Sequence, residues 1–506
     1  MKRASAALLA IGILNSLAGY LREIVVAAHF GAGSATDAFF SSYAFVLTFN
    51  DLLVAASLSA ALIPTLERYR RQAQAGKTLV SSMAAMVLVV TVPCAAMLDL
   101  ALPWIIPRLV PGLGHAEVTV AIGHGRWLVW LIPVYGLFFL STLTLNAERR
   151  FVAPALGWLG INLVFMLVVL VLAEPLGPQA LLLGAMSGPI VVTAALLALV
   201  GRLGLLGLGA IRLGGEPLRY AGRLARPILF TLGIGSSLGL LMVSHLTIRA
   251  WGSHIGPGGV SALTYAFRIY EVPLTLVAHV AGTLVLPVVV RWHEDGEWER
   301  IAELSRSLLF WGAALLVPTA MFFHFEAQTI VQLLLERRNF SADDAALTAQ
   351  ALQGFAWAIP FEAVFVVFYR IFYALHRPTV PVVTSFITLV TLALTLQVIT
   401  PDMGMVWIAA SLAVAFLAAT VLSLSAMHRL AGGRILPRPR PALALLALSL
   451  LMGPTWAQAS HASGLGPALL RGVGLTSLFW AMLLFLLPCE RSRLRALLSI
   501  GSRQAA

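Results

Sequence analysis

The chain has 506 residues, of which 59% are hydrophobic and only 11% are charged, and its mean hydropathy is +0.90. Soluble domains are about 45–50% apolar and about 25% charged, so this composition excludes a water-soluble protein and indicates a polytopic membrane protein. The net charge of +12 comes without a basic patch interleaved with aromatic or polar readers. It therefore argues against nucleic-acid binding and fits the positive-inside bias of membrane proteins.

The N-terminus and the two cysteines at first suggest other classes. The start Met1-Lys2-Arg3 resembles a signal peptide, but the apolar run continues to about Phe30 with no clear cleavage site, which predicts a retained first span. Cys94 and Cys489 lie in or beside apolar segments without metal-ligand spacing. We therefore predict neither a metal nor another cofactor.

Apolar stretches long enough to cross a bilayer, about 20 residues each, recur along the chain. They lie at residues 5–29, 36–66, 79–107, 124–146, 152–173, 179–200, 222–249, 258–290, 303–325, 350–374, 379–399, 405–427, 441–459 and 466–488. The sequence thus predicts an all-α polytopic membrane protein with about 14 transmembrane helices.

The distribution of Lys and Arg predicts the orientation of these spans. With the N-terminus in the cytoplasm, 25 of the 34 basic residues fall in cytoplasmic segments and 3 fall on the opposite side. Because basic residues are retained on the cytoplasmic side, this distribution predicts that both termini are cytoplasmic and that the number of spans is even.

An internal repeat relates the first two spans to the seventh and eighth. Asn15-Ser16-Leu17-Ala18 aligns with Ser236-Ser237-Leu238-Gly239 at an offset of 221, and Tyr43-Ala44-Phe45 aligns with Tyr265-Ala266-Phe267 at an offset of 222. An even number of spans separates the copies, so they run in the same direction and form a parallel repeat. We predict one lobe at residues 1–220, a second at 221–430, and a C-terminal part at 431–506 with a linker and spans 13 and 14.

Charged side chains inside the predicted spans are candidate functional residues, because a charge at membrane depth is kept where it faces a polar cavity or a partner. The candidates for substrate binding are Arg22, Glu23, Asp51, Arg268 and Glu271. Guanidinium groups bind phosphate in a bidentate manner, so Arg22 and Arg268 favour a phosphate- or pyrophosphate-bearing substrate.

Each candidate also has a structural interpretation. Arg22 could snorkel or neutralise a structural acid, and it need not pair with Glu23, because neighbours point about 100° apart on a helix. Arg268 and Glu271, three residues apart, could form a closed ion pair or an arginine oriented by a carboxylate. Asp51 could be the structural partner of an arginine. Glu362, together with Arg370 on one face of span 10, is predicted to be structural.

A second group of residues is predicted to act in gating or in local structure. It comprises Gly31, Gly33, Asp37 and Pro64. Gly31 and Gly33 belong to a small-residue turn between the first two spans. Asp37 opens the second span, where N-terminal capping and helix-dipole complementation explain an acid, and a direct functional role is the alternative.

Several segments together resemble one family. The relevant segments are Arg22-Glu23 followed by FGAGSATDAFF at Phe30–Phe40, Ala61-Leu62-Ile63-Pro64, Leu145-Asn146 through Phe151 and Pro154, Y-x-x-R-x-x-E-x-P at Tyr265, Arg268, Glu271 and Pro273, Asn339-Phe340 with Asp344-Ala345, and Phe372-Tyr373. Over nearly its whole length the chain is similar to the MurJ/MviN family, the lipid II flippases of the MOP exporter superfamily.

The resemblance implies a two-lobe bundle of 14 helices, with a central cationic cavity for a pyrophosphate-linked precursor and a lipid-tail groove at spans 13 and 14. It implies a transporter, not an enzyme, which flips an undecaprenyl-pyrophosphate-linked glycan, foremost lipid II for peptidoglycan synthesis, from the inner to the outer leaflet by alternating access. It places the protein in the bacterial inner membrane, with membrane lipid and the cell-wall or polysaccharide synthesis machinery as further partners.

Two departures from the family's pattern leave alternatives open. Ser16 stands where the family usually has an arginine, and Asn50-Asp51 stand where its second span usually carries arginines. The alternatives are a flippase for an exopolysaccharide lipid-linked unit, a MATE-like small-molecule exporter, and an inactive paralogue that acts as a scaffold. A membrane glycosyltransferase would need paired acids on a sizeable loop, and helix capping explains the one candidate, Asp343-Asp344.

Overall fold

The computed structural model describes residues 2–50, 73–207, 237–280, 285–432, 439–459 and 465–486. Within these ranges the regular structure consists of α-helices and short 3-10 segments, without strands, which confirms the predicted all-α fold. The helices, numbered in chain order, are α1 (Lys2–Phe30), α2 (Ser34–Asn50), α3 (Ala73–Leu109), α4 (His115–Leu128), α5 (Leu131–Ala147), α6 (Val152–Leu176), α7 (Gln179–Arg202), α8 (Ser237–Gly252), α9 (Gly259–Val280), α10 (Leu286–Glu294), α11 (Trp298–Phe325), α12 (Ala327–Leu335), α13 (Ala342–Ala356), α14 (Ile359–Ala374), α15 (Thr379–Val398), α16 (Met405–Leu430), α17 (Pro439–Ala459) and α18 (Leu465–Leu486).

Many of these helices are long and apolar enough to cross a membrane. Eight helical segments in the described ranges meet that condition, and the bent pair α13–α14 makes a ninth. Shorter apolar stretches lie in α17 and α18, at Leu443–Trp456 and Leu470–Leu484. The chain is thus a multi-pass membrane protein, and the count of 14 spans stays a prediction.

Two predicted spans are interrupted in the structure. The span at 124–146 is divided between α4 and α5, and the span at 350–374 is divided between α13 and α14, which meet at a bend of 53°. In both cases a proline, Pro133 or Pro360, lies in the first turn of the second helix. Proline has no amide N–H, and its ring clashes with the carbonyl four residues earlier, so the preceding helix ends before it.

The described chain divides into two compact units. Unit 1 comprises Met1–Ser261 and Arg337–Ser341, and unit 2 comprises Ala262–Glu336 and Ala342–Ala506. Helix α8 and the first turn of α9 therefore belong to unit 1, together with the short loop that follows α12. The lobe boundaries predicted at residues 220 and 430 stay a prediction.

In unit 1, α6 and α7 approach each other closely through small residues. A Cβ atom built on Gly188 of α7 would lie 2.6 Å from the carbonyl oxygen of Ile161 in α6. A Cβ atom on Gly184, one turn earlier, would lie 3.2 Å from the carbonyl oxygen of Phe165. Membrane helices associate mainly through such close packing, because lipid is as apolar as their side chains.

We expect Gly188→Ala to lower the free energy of unfolding by about 1–3 kcal/mol, because the added methyl group meets backbone that cannot move aside cheaply. Thermal unfolding of the purified protein checks this. Gly123→Ala in α4 is the matched control, since its Cβ would have no atom within 4 Å. Equal stability of the two variants would contradict the close packing of α6 on α7.

Unit 2 contains two hydrophobic clusters. One surrounds α14, where Phe368 and Phe372 pack with Val289 of α10, Ile301 of α11 and Met427 of α16. The other joins α11 to the two C-terminal helices. Its members are Phe310, Trp311, Ala314 and Met321 of α11, Leu448, Met452 and Trp456 of α17, and Phe479 and Leu483 of α18.

A buried ion pair adds to this second cluster. Glu326, at the junction of α11 and α12, is 1% exposed, and it accepts hydrogen bonds from Arg471 of α18. The Nε–Oε1 and Nη2–Oε2 distances are 2.9 and 3.0 Å, so the pair is bidentate. Such forked pairs fix orientation as well as contact. Helix α18 is therefore fixed to the α11–α12 junction by both apolar packing and charge.

Candidate functional site

Arg22 is buried inside unit 1, where both terminal nitrogens of its guanidinium have partners. Arg22 is 6% exposed, and its Nη2 lies 2.5 Å from Oε1 of Glu23. Its Nη1 donates to Oδ1 of Asn162 in α6 at 3.1 Å, and the guanidinium carbon lies 5.1 Å from the ring centroid of Phe165. Helix geometry does not require Arg22 and Glu23 to pair, but they pair here because the long arginine side chain bends back to its neighbour.

The same contacts tie α1 to α6. Asn162 Nδ2 donates to Oδ1 of Asn15, which lies two turns before Arg22 on the same face of α1, at 3.0 Å. A buried cation needs such compensation, because an unpaired charge in an apolar interior costs several kcal/mol. Arg22 therefore has a structural role in this conformation, and its predicted role in substrate binding stays a prediction.

Arg268 and Glu271 form a more accessible pair in unit 2. Their Nη1 and Oε2 atoms are 2.8 Å apart on adjacent turns of α9, and the side chains are 39% and 35% exposed. An exposed pair contributes only about 0–1 kcal/mol to stability. The accessible guanidinium is suited to an anion.

Asp37 lies in the first turn of α2, but its carboxylate accepts hydrogen bonds from the start of another helix, α9. Oδ2 accepts the backbone N–H of Gly258 at 2.7 Å, and Oδ1 accepts the backbone N–H and the hydroxyl of Ser261 at 2.7 and 2.5 Å. The predicted capping of its own helix is therefore corrected: Asp37 caps the N-terminus of α9. There the unpaired amides and the helix dipole stabilise a negative charge.

Thr36 replaces Asp37 as the local cap of α2. Its Oγ1 accepts the N–H of Gly33 at 2.9 Å and also lies 2.9 Å from the Gly33 carbonyl oxygen. Ser261 connects the two helix ends, since its hydroxyl lies 2.9 Å from Thr36 Oγ1.

The two predicted glycines differ in what they require. Gly31 has a φ of 64°, and its N–H donates to the carbonyl of Ala27 at 2.8 Å, so it ends α1 in the left-handed region that favours glycine. A Cβ on Gly33 would have no atom within 4 Å, so packing does not require glycine there.

The loop after α12 completes the C-terminal end of α1. Asn339 donates its backbone N–H to the carbonyl of Ala28 at 3.1 Å and its side-chain Nδ2 to the carbonyl of His29 at 2.6 Å. Arg338 donates to Nε2 of His29 at 3.0 Å. These bonds satisfy carbonyl groups that a helix end leaves without partners.

Of the remaining predicted residues, Asp51 and Pro64 lie outside the described residues. Asn50 is buried, and its Oδ1 has no hydrogen-bond partner in the described ranges. Ser16 is exposed, and its hydroxyl donates to the carbonyl of Gly12 in its own helix at 3.2 Å. Neither residue replaces the positive charge of an arginine.

The comparison with known proteins decides the family. Residues 26–466 match the family model described as Lipid II flippase MurJ. The chain belongs to this family. It is 25% identical over 384 residues to a probable lipid II flippase MurJ of Aquifex aeolicus, covering 75% of this chain and 74% of the relative. It is 26% identical over 358 residues to the lipid II flippase MurJ of Burkholderia cenocepacia, covering 67% of each.

Solved structures share the fold of this chain. A structure of lipid II flippase MurJ in an inward closed conformation superposes with a TM-score of 0.76 at 16% identity, over 94% of this chain and 98% of that one. An inward-facing MATE multidrug transporter of the MOP superfamily gives 0.67 at 13% identity, over 84% and 98%. These identities support the fold alone. The predicted resemblance to the MurJ family is confirmed.

Three residues that the sequence analysis did not single out are partners of the predicted residues. Asn162 pairs with Arg22, Ser261 pairs with Asp37, and Tyr270 donates from α9 to Oε2 of Glu362 in α14. A lone amide inside an apolar span was an available signal for Asn162. Among the residues that the structure describes, no group of three or more His, Cys, Asp or Glu residues could hold a metal ion.

Proposed function

We propose that this protein is a flippase that moves lipid II, an undecaprenyl-pyrophosphate-linked glycan, from the inner to the outer leaflet of the bacterial inner membrane. It works by alternating access and forms no covalent bond with its cargo. Membership of the MurJ family across residues 26–466 carries this conclusion, together with the intact Y-x-x-R-x-x-E-x-P segment of α9.

Arg268 is the residue that we assign to the pyrophosphate. Its side chain is accessible, and Glu271 one turn away fixes its orientation without burying it. A pyrophosphate presents several oxygens with delocalised negative charge, which a guanidinium binds with two parallel hydrogen bonds. Glu271 then acts as a counter-ion that holds the arginine ready while no substrate is bound.

Contacts within unit 1 support closure on the outer side of the membrane. With both termini in the cytoplasm, the loops that follow α1, α3, α8 and α12 are all on the outer side. Asp37 bonds to Gly258 and Ser261, Ser253 accepts the N–H of Gly112 at 3.0 Å, and Asn339 bonds to the end of α1. These contacts are polar, so water can replace them when the outer side opens.

We expect Arg268→Ala to reduce the flipping rate roughly 100-fold, because losing a charged hydrogen-bonded contact to the pyrophosphate costs about 3 kcal/mol. The fold should be retained, since the pair is half-exposed. Flipping of a fluorescent lipid-linked substrate in proteoliposomes measures the rate. Arg300→Ala is the matched control: Arg300 forms the same kind of pair with Glu297, three residues away at 2.7 Å. Equal activity of the two variants would contradict the assignment.

Complementation tests the substrate. A strain depleted of its own lipid II flippase should grow when the wild-type chain is expressed, and Arg268→Ala should fail at equal membrane abundance. If the wild-type chain inserts normally but does not support growth, lipid II is not its cargo. Flipping of an exopolysaccharide lipid-linked unit by the same preparation would then identify the other lipid-linked glycan.

A further inference from the structure

The span formed by α13 and α14 is broken, and contacts with α16 fix the helices on both sides of the break. A Cβ atom on Gly354 of α13 would collide with the carbonyl oxygen of Val406 in α16. Beyond the break, Thr420 of α16 donates its hydroxyl to the carbonyl of Phe361 at 2.9 Å. Both halves are thus fixed against α16. Broken helices at membrane depth are where transporters commonly bind their coupling ions.

Glu362 lies one turn after this break, and its partner comes from α9. Tyr270 is fully buried, its ring centroid lies 5.5 Å from that of Phe355, and its hydroxyl donates to Glu362 Oε2. The start of α14 shows no side-chain cap hydrogen bond, so Glu362 is not used to cap its helix. The carboxyl group is therefore held toward Tyr270 by packing of the aromatic ring.

No charged side chain in the described ranges forms an ion pair with Glu362. In the part of the chain that the structure describes, the titratable groups that act on it are Tyr270 and Glu271, both from α9. Arg268 lies beside Glu271, not Glu362. Arg370, predicted to lie on the same face of this helix, is two turns further on and forms no ion pair with Glu362 among the described residues.

Among the described residues, the other helices that pack on α14 form no ion pair with Glu362. His324 of α11 approaches the break, but its ring faces Trp357 at 4.8 Å, and its Nδ1 bonds to the carbonyl of Gln353 at 3.0 Å. Helix α16 contributes the Thr420 hydroxyl. Helices α10 and α15 contact α14 through apolar residues around Phe372.

We propose that Glu362 binds the proton that drives flipping. A charged carboxylate whose partner is one neutral hydroxyl costs several kcal/mol in an apolar interior. A proton on Oε1 removes that charge and leaves the bond from Tyr270 to Oε2 intact. When α9 and α14 separate and water enters, the carboxyl O–H bond breaks and the proton passes to water, while Tyr270 keeps its own proton.

The geometry fits a proton better than a metal cation. Ca²⁺ takes about 6–8 oxygen ligands, whereas in the described ranges the hydrogen-bond partner of Glu362 is a single tyrosine hydroxyl. The coupling part of this inference rests on the proposed flippase function, whereas the presence of a bound proton does not.

Infrared pH-difference spectroscopy of the full-length protein in lipid bilayers tests the proton site without any transport. A protonated-carboxyl C=O band should be present in the wild type and in Glu336→Gln, an exposed acid, and absent in Glu362→Gln. Tyr270→Phe should shift the frequency of that band, because it removes the hydrogen bond to Oε2. A band that persists unchanged in Glu362→Gln would overturn the site. If Glu362→Gln does not fold, Glu362→Asp should retain the band at a shifted frequency, and an unshifted band would overturn the site.

Proteoliposomes with an imposed proton gradient test the coupling. The gradient should accelerate flipping by the wild type and by Glu336→Gln several-fold, and it should leave the rate of Glu362→Gln unchanged. Continued acceleration of Glu362→Gln would overturn coupling through this residue. A wild type that shows the band but flips no lipid would instead overturn the proposed function and leave the proton site standing.

Discussion

Asp37→Ala is expected to weaken the closed arrangement of unit 1 by about 3–5 kcal/mol, because it removes three hydrogen bonds and leaves two buried amides of α9 without an acceptor. That corresponds to roughly two to four orders of magnitude in the equilibrium between closed and open forms. Hydrogen-exchange mass spectrometry of the segment around Gly258 and Ser261 measures this directly, since opening exposes those amides.

Asp343→Ala is the control for this experiment. Asp343 is an exposed acid in the first turn of α13, so it shares the helix-end position but not the buried contacts. Its replacement should change exchange around Ser261 by no measurable amount. Unchanged exchange in Asp37→Ala as well would show that the carboxylate does not hold the N-terminus of α9.

The growth phenotype should follow the same order. If the contacts of Asp37 close the outer side, Asp37→Ala should support growth poorly. Growth with Asp37→Asn should be intermediate between growth with the wild type and growth with Asp37→Ala. The asparagine amide keeps one acceptor oxygen, but it presents its NH₂ group to one of the backbone N–H donors. An intermediate exchange rate for Asp37→Asn with wild-type growth would separate the local contact from the transport cycle.

Arg22→Ala is expected to lower the free energy of unfolding by about 3–5 kcal/mol, because it removes the guanidinium that lies 2.5 Å from the buried carboxylate of Glu23. Denaturant or thermal unfolding of the purified protein measures this loss. The double variant Arg22→Ala/Glu23→Gln should be more stable than the sum of the single variants predicts, by about 1–3 kcal/mol, since the two groups interact directly.

The double variant also separates stability from substrate binding. If Arg22 contributes charge to the substrate site, Arg22→Ala/Glu23→Gln should recover stability but not flipping. Glu23→Gln alone is the control, because it keeps the arginine. Recovery of flipping together with stability would contradict a substrate role and leave Arg22 as a purely structural residue of α1.

Local patterns in the sequence were sufficient to predict several of the helices. The spans at 152–173, 179–200 and 405–427 correspond to α6, α7 and α16, because long apolar runs bounded by charged or turn residues have no other stable form in a bilayer. The breaks before α5 and α14 were not predicted, although Pro133 and Pro360 lie at the right places. An apolar window averages over a proline, so hydropathy alone misses the interruption.

The partners of the charged residues could not be predicted in the same way. Arg22 pairs with Asn162, 140 residues away, and Tyr270 pairs with Glu362, 92 residues away, so both depend on how the helices pack. The offset of the internal repeat matches another long-range contact. Asp37 and Gly258 are 221 residues apart, which is the offset of the first aligned segments, so the contact joins equivalent positions of the two copies.

The pair of Glu326 and Arg471 has a consequence for biogenesis. Its members are 145 residues apart, and α11 leaves the ribosome long before α18. A glutamate at the end of a newly inserted span is retained near water until a counter-ion arrives. We therefore expect α11 to reach its final depth only when α18 enters the membrane, so that unit 2 is completed late in synthesis.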